Sequence, residues 1–135
     1  MPKKIADADK SEKITINLGP VDLGQIDLLV EEGFFANRTD FIRTAIRRQL
    51  DGRSDALDRT VARRKLVLGT EHYSRGDLEQ LLSAGRMVEL RVLGLASIAE
   101  DVTPELAVAT IAGVEVLGAF RAPQAVKAAL ASRTS

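Results

Sequence analysis

Polar and apolar residues alternate strictly from Lys13 to Leu18. Ile14, Ile16 and Leu18 fall on one side; Lys13, Thr15 and Asn17 fall on the other. A period of two predicts a short strand, residues 12–18, with one face buried. After Pro20 the period changes: Leu23, Ile26, Leu29 and Val30 recur at helical spacing. That spacing predicts a helix near Val21–Glu32, with Pro20 suited to its first position and Gly33 to its exit. The outer face of this helix carries Asp22, Gln25, Asp27 and Glu31. Phe34 and Phe35 fill the turn, and at least one of them is expected in the core. Asn37 then predicts the cap of a second helix, about Arg38–Leu50, with its stripe at Phe41, Ile42, Ala45, Ile46 and Leu50. Asp40 sits three residues beyond the cap, where a carboxylate can reach back.

The back half repeats itself. Leu66-Val67-Leu68-Gly69 recurs as Val92-Leu93-Gly94 and as Val116-Leu117-Gly118. A short loop with a large apolar anchor follows each glycine: Tyr73, Ile98 and Phe120. Helix starts follow at Ser74 with Asp77, at Thr103-Pro104-Glu105, and at Ala122-Pro123. Their apolar stripes read as Leu78, Leu81, Leu82; then Leu106, Ala109, Ile111; then Val126, Ala129, Leu130, with Gly85 and Gly113 ending the first two helices. Strand–loop–helix at this period predicts a parallel ladder with the character of a short three-rung β/α solenoid. A non-solenoid βαβ sandwich is the alternative. Between the halves, residues 53–64 read as a connector holding a short helical turn with Leu57 and Val61.

Composition changes the picture in two places. Lysine plus arginine equals aspartate plus glutamate, 19 each, so total charge favours no partner. Residues 1–65 hold 13 basic and 11 acidic residues. Any nucleic-acid contact must therefore come from a local patch. The chain has no cysteine and one histidine, His72. A thiolate or multi-histidine metal site within one chain is excluded, and no cofactor is expected. His72 neighbours Glu71, Tyr73 and Ser74, but adjacent residues rarely converge on one substrate, so no enzyme is expected. No apolar run approaches the ~20 residues of a membrane span, and a cytoplasmic protein without membrane contact is expected.

One strand and two helices form an incomplete object, because a lone strand leaves both backbone edges unpaired. About forty residues also bury little apolar surface alone. The ordered pattern of Lys13-Ile14-Thr15-Ile16-Asn17-Leu18, Glu32-Gly33 and Asn37-Arg38-Thr39-Asp40-Phe41-Ile42-Arg43 resembles the ribbon-helix-helix family of DNA-binding proteins. The resemblance implies an intertwined homodimer through residues 12–52, with Ile14, Ile16, Leu18, Phe41, Ile42 and Ile46 in the dimer core. Lys13, Thr15 and Asn17 would then face outward on a two-stranded ribbon, and such a ribbon fits the major groove of double-stranded DNA. The bland reading of that strand is a half-exposed edge with ordinary polar residues. The resemblance also carries a phosphate clamp onto Asn37, Arg38 and Thr39, where first-turn N–H groups and the helix dipole favour an anion. The family's nickel-sensing members use histidine and cysteine ligands, and that role does not transfer here.

The expected fold class is thus α+β: a flexible tail over 1–11, a ribbon-helix-helix over 12–52, the connector, and a β/α repeat domain over 65–135 for oligomerisation or sensing. The apolar run Met87–Leu95, with Val88, Leu90 and Val92, suggests that the repeat domain self-associates into a tetramer or larger assembly. The expected function is a sequence-specific transcriptional regulator, a repressor or autorepressor. An antitoxin and a DNA-associated polymerising scaffold are the alternatives. A short, charged, disordered tail would favour the antitoxin, and this tail is long and apolar.

Overall fold

The computed structural model describes residues 11–135. The expected tail lies, but for Ser11, outside the described residues. The chain divides into two compact units, one over Ser11–Arg59 and one that includes Thr60–Ser135.

The first unit begins with residues 11–19, which carry no secondary structure. The expected strand does not form in a single chain, because no second strand is there to accept its hydrogen bonds. Helix α1 spans Pro20–Glu31, with Pro20 in its first turn. It ends at Gly33, whose φ of 87° is open to glycine at no steric cost. Helix α2 spans Arg38–Asp51 and is capped by Asn37. Phe35 packs edge-on against Phe41, with ring centroids 5.0 Å apart, and ties the turn to α2. Phe34 is exposed. Residues 54–64, expected as a connector with one helical turn, instead form helix α3, Ser54–Arg64. Eleven residues without internal glycine or proline, with Leu57 and Val61 four apart, sustain a full helix.

The second unit holds three parallel strands in sequence order. They are β1 (Val67–Tyr73), β2 (Val88–Ile98) and β3 (Ile111–Arg121). Helices α4 (Arg75–Ser83) and α5 (Pro104–Thr110) connect them, and α6 (Gln124–Ala129) follows β3. Helix α4 opens with a full capping box: Ser74 Oγ accepts from the Asp77 N–H at 3.1 Å, and the Asp77 carboxylate accepts from the Ser74 N–H at 2.9 Å. Thr103 caps α5 in the same sense. The anchors Tyr73 and Ile98 are the last residues of their strands, and Phe120 lies inside β3, so none belongs to a loop. Ile111 and Gly113 also lie in β3, not at the end of a helix. The β-branched run around Val114 and Val116 draws them into the strand, and Thr110 Oγ1 closes α5 by donating to the Leu106 carbonyl.

The repeated glycines are register partners: Gly69 lies beside Gly94, and Gly94 beside Gly118. Their φ angles are 131°, 142° and 122°, values essentially reserved for glycine. A Cβ on Gly94 would meet the Gly69 carbonyl oxygen at 2.1 Å, and one on Gly118 would meet that of Gly94 at 2.1 Å. The repeat is therefore set by backbone contact, with each strand resting against the bare α-carbon of the next. The glycine spacing of 25 and then 24 residues is the register offset of the β1–β2 and β2–β3 ladders, and the β2–β3 ladder has a register shift only at its start, at Val88/Glu89.

The core lies between the sheet and its helices. Leu78, Leu90, Val92, Ala96, Ala107, Ile111, Val126 and Leu130 are fully buried. Leu90 and Val92 therefore belong to the unit's own interior and are not part of an open surface. The large apolar residues that this unit exposes include Leu68, Leu82, Met87 and Leu117. An ion cluster joins the start of the unit to its last strand. Glu115 pairs with Arg64 and, at 3.0 Å, with Arg91; Arg91 also donates to the Arg64 carbonyl at 2.6 Å.

Candidate nucleic-acid interface

The first unit is short of interior. Ile26, at 7% exposure, is its one buried residue among those described, and α2 buries none. Ile14 is 76% exposed, Ile16 60% and Leu18 41%, while Ile46 and Leu50 are about half exposed. An open groove of about 290 Å³ in this unit is lined by Leu18, Ile26, Leu29 and Phe41, with Asp22 and Gln25 as its polar lining. Apolar side chains this exposed carry ~25 cal/mol per Å² of unrealised burial. The unit thus presents a two-helix platform and an exposed amphipathic segment.

The polar side of that segment holds Lys13, Thr15 and Asn17, all exposed. The start of α2 is built tightly. Asn37 Oδ1 accepts from the Asp40 N–H at 2.8 Å. The Asp40 carboxylate reaches back to the Ala36 N–H at 2.9 Å, one residue before the cap. The N–H groups of Arg38 and Thr39 belong to the first turn, where no intrahelical carbonyl is available. They are the donors left for an anion, with the positive end of the helix dipole behind them.

Arg38 is not free above this site. Its Nε donates to Asp27 Oδ1 at 2.8 Å and its Nη2 to Oδ2 at 2.9 Å, a two-point pair between α2 and α1. The Arg38 bond holds the Asp27 carboxyl below the usual carboxylate range, and the same bond raises Arg38. The sequence places Asp27 among the acids of the outer face of α1, with no indication of a partner eleven residues away. Arg43, Arg47 and Arg48 form no ion pair with another described residue. Arg64, part of a basic stretch with Arg59 and Arg63, is engaged with Glu115.

His72 lies in the other unit, exposed, with Nδ1 2.7 Å from Ser97 Oγ across the β1–β2 ladder. Among the described residues no group of three or more acidic, histidine or cysteine side chains is placed to hold a metal. No helix of the described residues is long and apolar enough to cross a membrane.

A capped two-helix platform behind an exposed alternating segment has the make-up of a β-ribbon DNA-binding module. The model of the Ribbon-Helix-Helix transcriptional regulator family matches residues 9–127, and the chain belongs to that family. No curated protein and no solved structure matches it. Membership makes it a DNA-binding transcriptional regulator by family, in a group that is generally non-enzymatic and usually dimeric. The match runs well beyond the two helices. The parallel sheet is therefore part of what the family model describes, whereas the sequence pattern tied only residues 12–52 to the family.

Proposed function

We propose that two chains pair residues 12–18 as an antiparallel ribbon that enters the major groove and reads a specific operator, making the protein a repressor or autorepressor. Lys13, Thr15 and Asn17 of each chain face the bases. Lysine donates to guanine O6 and N7, asparagine pairs with adenine N6 and N7, and threonine donates, accepts or sets its methyl against thymine. The start of α2 clamps a phosphate through the first-turn N–H groups around Asn37, Arg38 and Thr39. Ile14, Ile16, Leu18, Phe41, Ile42 and Ile46 close the dimer core. The observation that carries this reading is the exposure of Ile14, Ile16 and Leu18 on a segment with no secondary structure of its own.

In this reading residues 12–52 bind and dimerise, residues 53–64 connect, and residues 65–135 act as a three-rung, solenoid-like β/α domain. That domain joins dimers into a tetramer or larger assembly, or regulates them. The exposed leucines Leu68 and Leu117, in one row of the β1-β2-β3 ladder with Leu93 between them, support the assembly role. The packed core of this domain speaks against an antitoxin tail that orders only around a toxin.

The test is selection of bound duplexes from a random pool, followed by single substitutions. The reading expects an enriched two-fold site. Thr15→Ala or Asn17→Ala should relax preference at one base pair per half-site, at a cost of ~1–3 kcal/mol. Unchanged selection by both variants would refute the assignment of the ribbon.

A further inference from the structure

The pair between Arg38 and Asp27 has a consequence for how tightly DNA is held. We propose that Asp27 sets affinity at the candidate DNA interface: its carboxylate neutralises Arg38 in the unbound protein and releases it to a DNA phosphate. The inference rests on the DNA-binding reading above and adds a residue to it that the ribbon and clamp do not include.

Three charged side chains meet at the start of α2. Arg38 is satisfied at two points by Asp27, at 2.8 and 2.9 Å, and the Asp40 carboxylate lies against the Ala36 N–H of the same turn. Their formal charges sum to a negative value at the spot where the helix end otherwise favours an anion. A phosphate approaching the Arg38 and Thr39 N–H groups therefore meets two carboxylates with one guanidinium to offset them. Geometry makes the exchange easy. The side chains are 55% and 42% exposed, so water and salt reach the pair and screen it. Duplex DNA offers a phosphate charge every ~1.7 Å along its axis, and each one neutralised releases counterions. An exposed protein pair competes poorly with that. The arginine exchanges one bidentate oxyanion partner for another of matching shape. Asp27 thus acts as a resident stand-in for the phosphate.

The test compares the full-length wild type with Asp27→Asn, Arg38→Ala and the double variant, by fluorescence anisotropy on one labelled duplex from 50 to 300 mM salt. Asp27→Asn keeps the side chain's size on an exposed position. Its melting curve is recorded alongside to confirm the fold. The expected result is tighter binding, on the order of tenfold at ~0.1 M salt, with a similar salt slope, because Arg38 neutralises a phosphate in both complexes and only the cost of leaving Asp27 is removed. The gain should be similar for specific and unrelated duplexes and should vanish when Arg38 is also replaced.

In the wild type, the Arg38 Nε–H resonance should shift when duplex is added. Equal or weaker binding by Asp27→Asn would overturn the proposal, and weaker binding would make Asp27 a residue that positions Arg38 through its remaining donors. A gain that persists with Arg38→Ala, or an unmoved Arg38 resonance, would overturn it as well. Wild type that binds duplex with Asp27→Asn indistinguishable sinks this inference alone; wild type that binds no duplex sinks the DNA-binding reading too.

Discussion

Gly94→Ala should be among the most damaging single-atom-scale changes available to this chain. Gly94 sits at φ 142°, and an added Cβ would lie 2.1 Å from the Gly69 carbonyl oxygen and 3.0 Å from its carbon. A normal carbon–oxygen contact is about 3.3–3.6 Å, so β1 and β2 must part by roughly 1 Å. The backbone conformation alone costs about 1–3 kcal/mol for an L side chain. Separating the strands weakens adjoining ladder bonds, each about 1–3 kcal/mol when a buried group is left unpaired. The expected loss is about 4–6 kcal/mol, comparable to the whole stability of a small domain at about 5–15 kcal/mol.

Two neighbouring glycines supply the controls for this prediction. Gly69 has φ 131° but nothing within 4 Å of its added Cβ, so Gly69→Ala should lose only the backbone share, about 1–3 kcal/mol. Gly113, without a positive φ and with its nearest atom at 3.9 Å, should accept alanine within about 1 kcal/mol. Urea unfolding followed by far-ultraviolet circular dichroism ranks the three. The order Gly94 worst, Gly69 intermediate and Gly113 near neutral is required. A Gly94→Ala protein within about 1 kcal/mol of Gly69→Ala would refute backbone contact as the reason for the repeat.

Further outcomes follow from the caps and charges. Ser74→Ala removes one half of the α4 capping box and should lower stability by about 1 kcal/mol in the same urea assay. The Asp77 carboxyl is held below the usual carboxylate range by hydrogen bonding to Ser74, and Glu115 is held down first by its bond to Arg64 and then by the charges of Arg64 and Arg91. A depressed folded value means stability that is complete above the unfolded value, about 4, and is lost as pH falls through the folded one. Thermal melts should therefore show Tm falling on the acid side, and Glu115→Gln should shrink that fall while lowering Tm at pH 7. An identical acid limb in wild type and variant would remove Glu115 as a contributor. Ile16→Asp should leave the second unit folded and abolish dimers, which analytical ultracentrifugation reads directly.

Local signals carried well into the fold where they are properties of the chain itself. Asn37, Ser74 and Thr103 cap helices where their types and positions suggested, because a capping side chain needs only backbone two or three residues on. The glycine repeat was visible, but its cause was not: the contact between Gly94 and the Gly69 carbonyl joins strands 25 residues apart and leaves no trace in either segment. Ile111 looked helical by spacing and became strand, since a seven-residue helix and a β-branched run compete for the same residues. The two-point pair from Asp27 to Arg38 was hidden for the same reason as the glycine contact. It depends on how two helices face each other, and an acidic outer face seen alone looks merely solvated. Residues 12–18 are the reverse case. The alternation is plain, yet the segment carries no secondary structure, because a strand needs a neighbour to take up its hydrogen bonds.

The most direct measurement is solution NMR on protein mixed from differently labelled chains, looking for amide contacts between residues 13–18 of one chain and the same residues of another. The account predicts an antiparallel set of interchain contacts centred on Ile16, with protected amides that single chains cannot provide. A folded protein in which these six residues show no interchain contact, at concentrations where the family's dimer should form, would contradict it.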